Sequence, residues 1–346
     1  MPDDFLTLTL HASEFPERRR AGLLAALGER RVPAQALYLS LAQAQRWLTY
    51  HAAWSPSRTD AALQALYGAA YDAATALLPA GEAMLVGLGC GGGTKDAELA
   101  ARLAGRAGRA PLHYAPVDAS PALVAEAARR VRERGADAGG AGAGGAEIGV
   151  HPLVADLSGA PALEGWLRAR AALDPPRVLS CFGLLPNMNP SAFPRWLAAL
   201  LRPQDVLLLS ANLSPGGLDA DGPRILMQYD NPQARAWYGG ALAELGLSRS
   251  DYALVVQAQP LALEGLAMPP GAAWRIVVVA VLLEDVSLGV QEAEVALSAT
   301  ERLTVFQSLR FTADAAQALL AAAGLRVARR WVGAGGEEGL FLCRRA

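Results

Sequence analysis

The spacing of apolar residues divides the chain into three stretches. Over residues 1–80 apolar side chains recur three and four positions apart. This predicts helices at Glu17–Leu27, Gln35–Leu48 and Asp60–Leu78. From Ala83 the pattern changes to short apolar runs separated by helical ones. Strands are expected at Ala83–Leu88, Leu112–Val117, Ile148–Val154, Arg177–Phe182 and Asp205–Ser210, and helices at Asp96–Leu103, Ser120–Arg134, Pro161–Ala171 and Phe193–Leu201. Such alternation predicts βαβ units and an α/β fold: a doubly wound, mostly parallel, Rossmann-like sheet covered by helices on both faces.

Beyond Ala211 the alternation breaks. A turn at Asn212–Gly217 precedes a helix expected at Ile225–Leu245, with Pro232 near a helix start. Strand-like runs follow at Trp274–Leu283 and Leu303–Leu309, then a helix at Ala313–Ala323. Two closing β runs, Leu325–Val332 and Leu340–Arg344, flank the turn Gly333–Gly336. The expected organisation is an N-terminal helical segment (1–80), a Rossmann-like domain (81–211), an insertion forming a smaller second lobe (212–300), and C-terminal strands and a helix that rejoin the main sheet (301–346). The polar segment Ala52–Asp60, broken by Pro56, reads as a connector or as a loop closing over a ligand. Ala136–Ala146 is a glycine- and alanine-rich loop with no chemistry implied.

Composition narrows the class without choosing a function. With 346 residues, 52% of them hydrophobic and 18% charged, the chain can bury a sizeable core. A net charge of −2 offers nucleic acid and acidic lipid no general attraction, so no nucleic-acid or membrane partner is expected. Cys90, Cys181 and Cys343 are scattered and odd in number, which argues for a reducing compartment over a disulfide framework. No Cys or His spacing matches a metal site. The first residues lack an apolar core and cleavage site, and Ile276–Leu283 is too short to span a bilayer. A cytoplasmic location is the expectation.

The chemistry is expected at the carboxyl ends of the strands, where open α/β sheets place their ligands. Met84–Leu88 runs into Gly89-Cys90-Gly91-Gly92-Gly93-Thr94-Lys95, followed by a helical pattern. Glycines such as Gly89 and Gly91 let backbone approach a ligand, and free N–H groups at a helix start favour anionic atoms. An ordinary strand-to-helix turn gives the same local pattern. After the second strand, Asp118 can accept both hydroxyls of a ribose or cap the helix before Pro121. After the third, Asp156 can accept from an exocyclic adenine amine or sit in a solvated turn. The segment Phe182–Pro190 carries Asn187 and Asn189, which form turns and can also present amide oxygens to a donor.

Two nucleotide motifs fail in detail. A dinucleotide fingerprint needs a third glycine where this chain has Thr94, and a P-loop needs Ser or Thr after the lysine where it has Asp96. A glycine loop with one aspartate on each of the next two strands fits an adenosyl ligand without pyrophosphate better, and S-adenosylmethionine has that character.

The motifs then resemble those of S-adenosylmethionine-dependent amino-acid Nα-methyltransferases, typified by the histidine Nα-methyltransferase of ergothioneine synthesis. Trp54-Ser55-Pro56-Ser57-Arg58-Thr59-Asp60 is similar to the family's E-Y-Y-P-T-R-x-E, and Leu88–Lys95 to its L-G-S-G-x-x-x-K. Tyr114–Ser120 resembles Y-x-P-x-D-x-S, the most specific match. Ala155-Asp156-Leu157 is similar to A-D-[FY], Gly183–Pro190 to G-S-x-I-G-N-F-x-P with one residue fewer, and Tyr229-Asp230 to Y-D-[DN]. The resemblance spans roughly residues 35 to 345. It implies a class I methyltransferase sheet, S-adenosylmethionine as cofactor, and cofactor contacts at Gly89, Lys95, Asp118, Asp156 and Leu157. It also implies that Asn187 and Tyr229, the catalytic candidates, face the acceptor's amine or carboxylate. Tyr38 adds to the pocket wall, and Tyr229 and Asp230 are the groups to watch as proton acceptors.

Departures from the family's pattern fall in the acceptor pocket. Trp54-Ser55 replaces a tyrosine pair. In Phe306-Gln307-Ser308-Leu309-Arg310-Phe311, aligned with E-I-S-x-K-F, a glutamate that would grip an imidazole becomes Phe306, while Ser308 is kept and Arg310 preserves the charge. An unpaired buried donor costs about 1–3 kcal/mol. The expectation is therefore N-methylation of an amino acid or related small amine with an apolar or aromatic body, not histidine. An NAD(P)-dependent oxidoreductase and a catalytically silent adenosyl-binding protein are the alternatives.

Overall fold

A computed structural model describes residues 5–106, 111–138, 148–171, 174–263, 265–266 and 268–346. The chain begins with β1 (Thr9–Leu10), α1 (Pro16–Gly28), α2 (Leu41–Trp54), α3 (Pro56–Thr59) and α4 (Ala61–Ala76). The alternating section is β2 (Ala83–Leu88), α5 (Thr94–Ala104), β3 (Leu112–Asp118), α6 (Pro121–Ala138), β4 (Ile148–Val150), β5 (Leu153–Val154), α7 (Glu164–Arg168), β6 (Arg177–Cys181), α8 (Ala192–Leu200) and β7 (Val206–Asn212). Then come α9 (Gly217–Leu226), α10 (Pro232–Glu244), β8 (Tyr252–Pro260), β9 (Ala273–Leu282), β10 (Val286–Val290), β11 (Ala293–Leu297), β12 (Arg302–Phe311), α11 (Ala313–Ala322), β13 (Leu325–Val332) and β14 (Glu338–Arg345).

The main sheet has the order β1-β5-β3-β2-β6-β7-β14-β13, with β4 also beside β3. Pairing is parallel from β1 to β7, and β14 runs antiparallel to both β7 and β13. This is a doubly wound, mostly parallel sheet. Its central strand β2 reads as an unbroken apolar run because both faces are covered. Along β2, Met84, Val86 and Leu88 enter one core with Leu197 of α8 and Leu319 of α11. Ala83 and Leu85 enter the other core with Tyr67 of α4, Leu99 of α5 and Val131 of α6. One strand thus welds two cores by alternation alone.

Several expected boundaries shift for local reasons. The strand expected at Ile148–Val154 is split at His151-Pro152, where proline has no N–H to give a ladder. The helix expected over Ile225–Leu245 is two helices. Asn231 is extended (φ −141°) and caps α10 by accepting from Ala234 N at 3.0 Å, with Pro232 at the first helical position. The polar segment Ala52–Asp60 is the end of α2 followed by α3, and Asp60 caps α4. Of the glycine-rich stretch Ala136–Ala146, residues 139–146 lie outside the described residues.

The second lobe needs a correction. Residues 301–346 do not all rejoin the main sheet, because β12 pairs with β9 in a separate antiparallel sheet of order β12-β9-β8. The buried strand β9 has two edges to satisfy and takes β8 on one and β12 on the other. Only β13 and β14 return to the main sheet, and β1 from the N-terminal segment closes its far edge. The third core joins this small sheet to α10 and to the turn before α2 through Leu37, Trp237, Val278 and Leu303, with Trp47 and Tyr50 of α2 packed against it. No helix among the described residues is long and apolar enough to cross a membrane.

A buried ionic cluster ties the base of the main sheet. Asp205, fully buried, accepts from Arg177 Nε (2.8 Å), Arg177 N (3.0 Å) and Arg202 N (3.0 Å), and pairs with the Arg202 guanidinium. Burial alone pushes its carboxyl up, but hydrogen bonds from Arg202 and Arg177 outweigh it and hold the group below the ordinary range. Its stabilising share is therefore complete above the unfolded value, about 3.9, and is lost as pH falls below it. Asp205→Ala should lower stability at neutral pH by about 3–5 kcal/mol, because Arg177 keeps its charge and loses this partner. An unchanged denaturant midpoint would show that Glu164, the other partner of Arg177, suffices.

Candidate active site

Side-chain absence shapes the turn after β2. Gly93, the residue before α5, has φ +71°, and a Cβ there would collide with Ala127 of α6. A Cβ on Gly91 would come within 2.8 Å of the Trp47 ring, and one on Gly92 within 2.8 Å of Leu48. The glycines therefore let α2 lie directly on the loop while α6 closes from beneath. Asp118 at the end of β3 braces the loop by accepting from Gly91 N at 3.1 Å and from Ser120 N at 3.0 Å. Burial raises its carboxyl to about 6, although three backbone N–H bonds pull the other way.

Two further ionisable groups sit on the first turn of α5. Asp96 is buried and accepts from Tyr114 OH (2.8 Å) and Ser180 Oγ (2.7 Å), and burial raises it to about 6. Lys95 donates to Tyr67 OH at 2.7 Å and lies 3.4 Å from Glu338, which itself accepts from Tyr67 OH. Burial lowers the Lys95 ammonium, and Glu338 partly restores it. Because an ammonium has three donors, this arrangement leaves Lys95 capacity for a ligand.

One cavity of about 420 Å³ gathers most of the site residues singled out in the sequence, with Asn189 and Asp230 outside its lining. Gly89, Gly91, Lys95, Asp118, Asp156 and Leu157 line it, and so do Tyr38, Trp54, Asn187, Tyr229, Phe306 and Ser308. Asp156 caps the turn Leu157–Gly159 through Ser158 N (2.8 Å) using Oδ1. Asn187 ends a short turn of 3-10 helix, where its Nδ2 donates to Gly183 O at 3.4 Å. Phe306, Ser308 and Arg310 alternate along β12, and a period of two sends all three to the cavity side. Tyr229 is stacked on Phe306 at 6.0 Å, with its hydroxyl 3.1 Å from Ser308 Oγ and 3.0 Å from Arg310 Nη2.

Sequence reading missed the extent of the aromatic wall. Trp237 of α10 meets Tyr38 (5.5 Å), Tyr50 (5.6 Å) and Phe306 (5.4 Å). On α2, Trp47, Tyr50, His51 and Trp54 recur at three- and four-residue spacing, so that helix carries an aromatic face toward the cavity. The spacing was the available signal, but it reads equally as core. His51 stacks on Trp47 at 4.9 Å, and its imidazole is pushed down to about 3 by burial and by the charges of Lys95 and Arg58. It is neutral at physiological pH. The Tyr67–Glu338 support of Lys95 also went unseen, because its partners are 271 residues apart. Asp230 needs correcting as a proton acceptor: it pairs with Arg235 at 2.5 Å outside the cavity wall.

A family model described as histidine-specific methyltransferase, SAM-dependent, matches residues 48–345. No curated protein matches the chain at a significant level. Among solved structures, it is similar to the 1,6-didemethyltoxoflavin-N1-methyltransferase of Burkholderia thailandensis, solved with 1,6-didemethyltoxoflavin and S-adenosylhomocysteine. That pair is 15% identical over 88% of each chain, with a TM-score of 0.38. The mitomycin 7-O-methyltransferase MmcR is 15% identical over 96% of this chain and 70% of its own, with a TM-score of 0.39. A geranyl diphosphate methyltransferase solved with GPP and sinefungin is 15% identical over 86% of each chain, with a TM-score of 0.33.

The loop geometry yields a direct expectation. Gly93→Ala places a side chain at positive φ against Ala127, and a non-glycine residue in that region alone costs about 1–3 kcal/mol. Chemical denaturation should show at least that loss, together with weaker S-adenosylhomocysteine binding. A loss under about 0.5 kcal/mol with unchanged binding would mean that the loop and α6 separate at no cost.

Proposed function

The chain belongs to the family of histidine-specific, S-adenosylmethionine-dependent methyltransferases, and we propose that it methylates the amine of an amino acid or related small amine bearing an aromatic or apolar body, not histidine. The observation that carries this reading is the single cavity joining the glycine loop to an aromatic wall closed by Phe306. The two glutamates of the cavity wall are already engaged. Glu337 is engaged by Arg224 and Gln228, and Glu338 by Tyr67 and Lys95.

The residues present fit an adenosyl cofactor. Gly89, Gly91 and Lys95 would hold its amino-acid end, Asp118 its ribose hydroxyls, and Asp156 with Leu157 its adenine. Bound S-adenosylmethionine supplies a methyl group on a positively charged sulfur. The chain's share is chiefly orientation and exclusion of water. The Asn187 amide oxygen and the Tyr229 hydroxyl would align the acceptor amine, which must be neutral to react. His51, against the same cavity, has its imidazole pushed down to about 3 and is too weak an acceptor to take the ammonium proton. With no strong base in the wall, turnover should rise with pH as the acceptor's own ammonium deprotonates.

Two measurements test this reading. Asp118 titrates near 6, and only its carboxylate can accept both ribose hydroxyls. S-adenosylhomocysteine affinity should therefore be full above about pH 7 and fall about tenfold per unit below about pH 6. Asp118→Asn should weaken binding at pH 8 and flatten the profile. If the slope persists in that variant, the proton belongs to Asp96 and the ribose role is wrong. Separately, Phe306→Glu should lower kcat/KM for an aromatic amine by about tenfold or more and introduce measurable histidine binding. If methylation of histidine by the unaltered chain exceeds that of every aromatic amine tried, the substrate assignment fails.

A further inference from the structure

Asp156 is held in place by a part of the chain that lies before the stretch matched by the family model, residues 48–345. Alternate N–H groups of a strand point to opposite neighbours. At the end of β5, Ala155 N donates to Asp118 O of β3 at 2.9 Å, so Asp156 N faces the other way, toward β1. There β1 runs parallel to β5, and His11 N donates to Val154 O at 2.9 Å. This two-residue strand is not held by apolar burial, since Leu10 is 54% exposed and Phe15 beyond it is 49% exposed. Polar groups hold the segment. One turn of 3-10 helix, Ala12–Glu14, brings Ser13 to the end of β5, where its Oγ accepts from Asp156 N at 3.1 Å.

The Ser13 hydroxyl is itself fixed. It donates to Glu14 Oε1 at 3.0 Å and lies 3.0 Å from His11 Nδ1, which accepts from Ser13 N at 3.1 Å. The Glu14 side chain is 4% exposed and takes a charge-assisted bond from Arg19 Nε at 2.9 Å. A hydroxyl whose one proton goes to a carboxylate keeps its lone pairs for a donor, here the Asp156 amide. On the carboxylate side, Asp156 Oδ1 accepts from Ser158 N (2.8 Å) and Ser158 Oγ (2.7 Å). Among the described residues Oδ2 meets no donor, and it is the free acceptor of a residue that lines the cavity. We propose that Ser13 is a positioning residue for the cofactor: by fixing the Asp156 amide, it aims that carboxylate at the exocyclic amine of the adenine. The segment from β1 to Arg19 thereby takes part in cofactor recognition. This rests on the reading of Asp156 as the adenine's acceptor.

The test needs no methyl acceptor. The full chain is titrated calorimetrically with S-adenosylhomocysteine and with its analogue lacking the 6-amino group. The unaltered chain should bind the parent at least about tenfold more tightly than the analogue. Ser13→Ala should weaken the parent by about threefold to tenfold and leave the analogue within about twofold, so that the preference narrows. Ser13→Thr, which keeps the hydroxyl, should retain most of it. A loosened sheet edge would lower both affinities alike, so the ratio within one variant separates aim from general support. An equal loss on both ligands, or an unchanged preference, in Ser13→Ala overturns the proposal. Asp156→Ala separates it from the reading on which it rests. If that variant loses the preference while Ser13→Ala keeps it, Asp156 meets the adenine and Ser13 does not aim it. If the unaltered chain shows no preference, or Asp156→Ala keeps it, the adenine reading fails and the role of Ser13 falls with it.

Discussion

Three consecutive positions without side chains, Gly91 to Gly93, set the distance at which everything else at this site is placed. Any Cβ there would meet Trp47, Leu48 or Ala127, so two helices from different parts of the chain close on one strand end only because the glycines leave room. Helix α6 is the ordinary crossover partner of a parallel sheet. Helix α2 is not, since it comes from the N-terminal segment and packs chiefly with α10. The close approach therefore couples the second lobe to the glycine-loop end of the first. It also brings an aromatic helix face over the loop. The cavity is the space left between that face, the strand ends of the main sheet and β12.

What could be read from the sequence follows how local its cause is. The parallel sheet was legible because strands buried on both faces carry dense apolar runs, unbroken in β2 and in the first four residues of β7. The second sheet was harder. β8 alternates buried and exposed positions only weakly and was not expected as a strand, while β12 was assigned by chain order to the wrong sheet. No local feature tells a strand which edge it will join. Among the site residues, Gly89, Asp118 and Asp156 were legible because topology places successive strand ends together. Phe306 and Ser308 were reached through motif resemblance, and the structure supplies the reason they act together, a shared face at period two. Trp237 and the Tyr67–Glu338 support are set by contacts between distant segments, and the sequence carries no spacing that points to them.

The chain distributes the cost of buried charge unevenly, and the pattern separates scaffold from site. At the base of the sheet, Asp205 is matched by two arginines, an arrangement that holds strands and asks for nothing further. Asp96 is held by two neutral hydroxyls, which leave its carboxyl raised by burial. Lys95 is half-compensated through Tyr67 and Glu338. Arg310 has neutral acceptors only. Compensation thus falls from the base of the sheet toward the cavity, so the cavity wall is where electrostatic work is left for a ligand to complete.

Tyr229 is where the apolar and polar parts of that wall meet. Its ring stacks on Phe306, and its hydroxyl takes a hydrogen bond from Arg310 at 3.0 Å. An oxygen that already accepts from a guanidinium directs its own proton away from Arg310, toward Ser308 Oγ or a ligand. Phe306 cannot take that proton, whereas a glutamate at the same position could. Phenylalanine at position 306 therefore shapes more than one contact: it offers the wall no acceptor and leaves the Tyr229 hydroxyl among donors from Arg310 and Ser308.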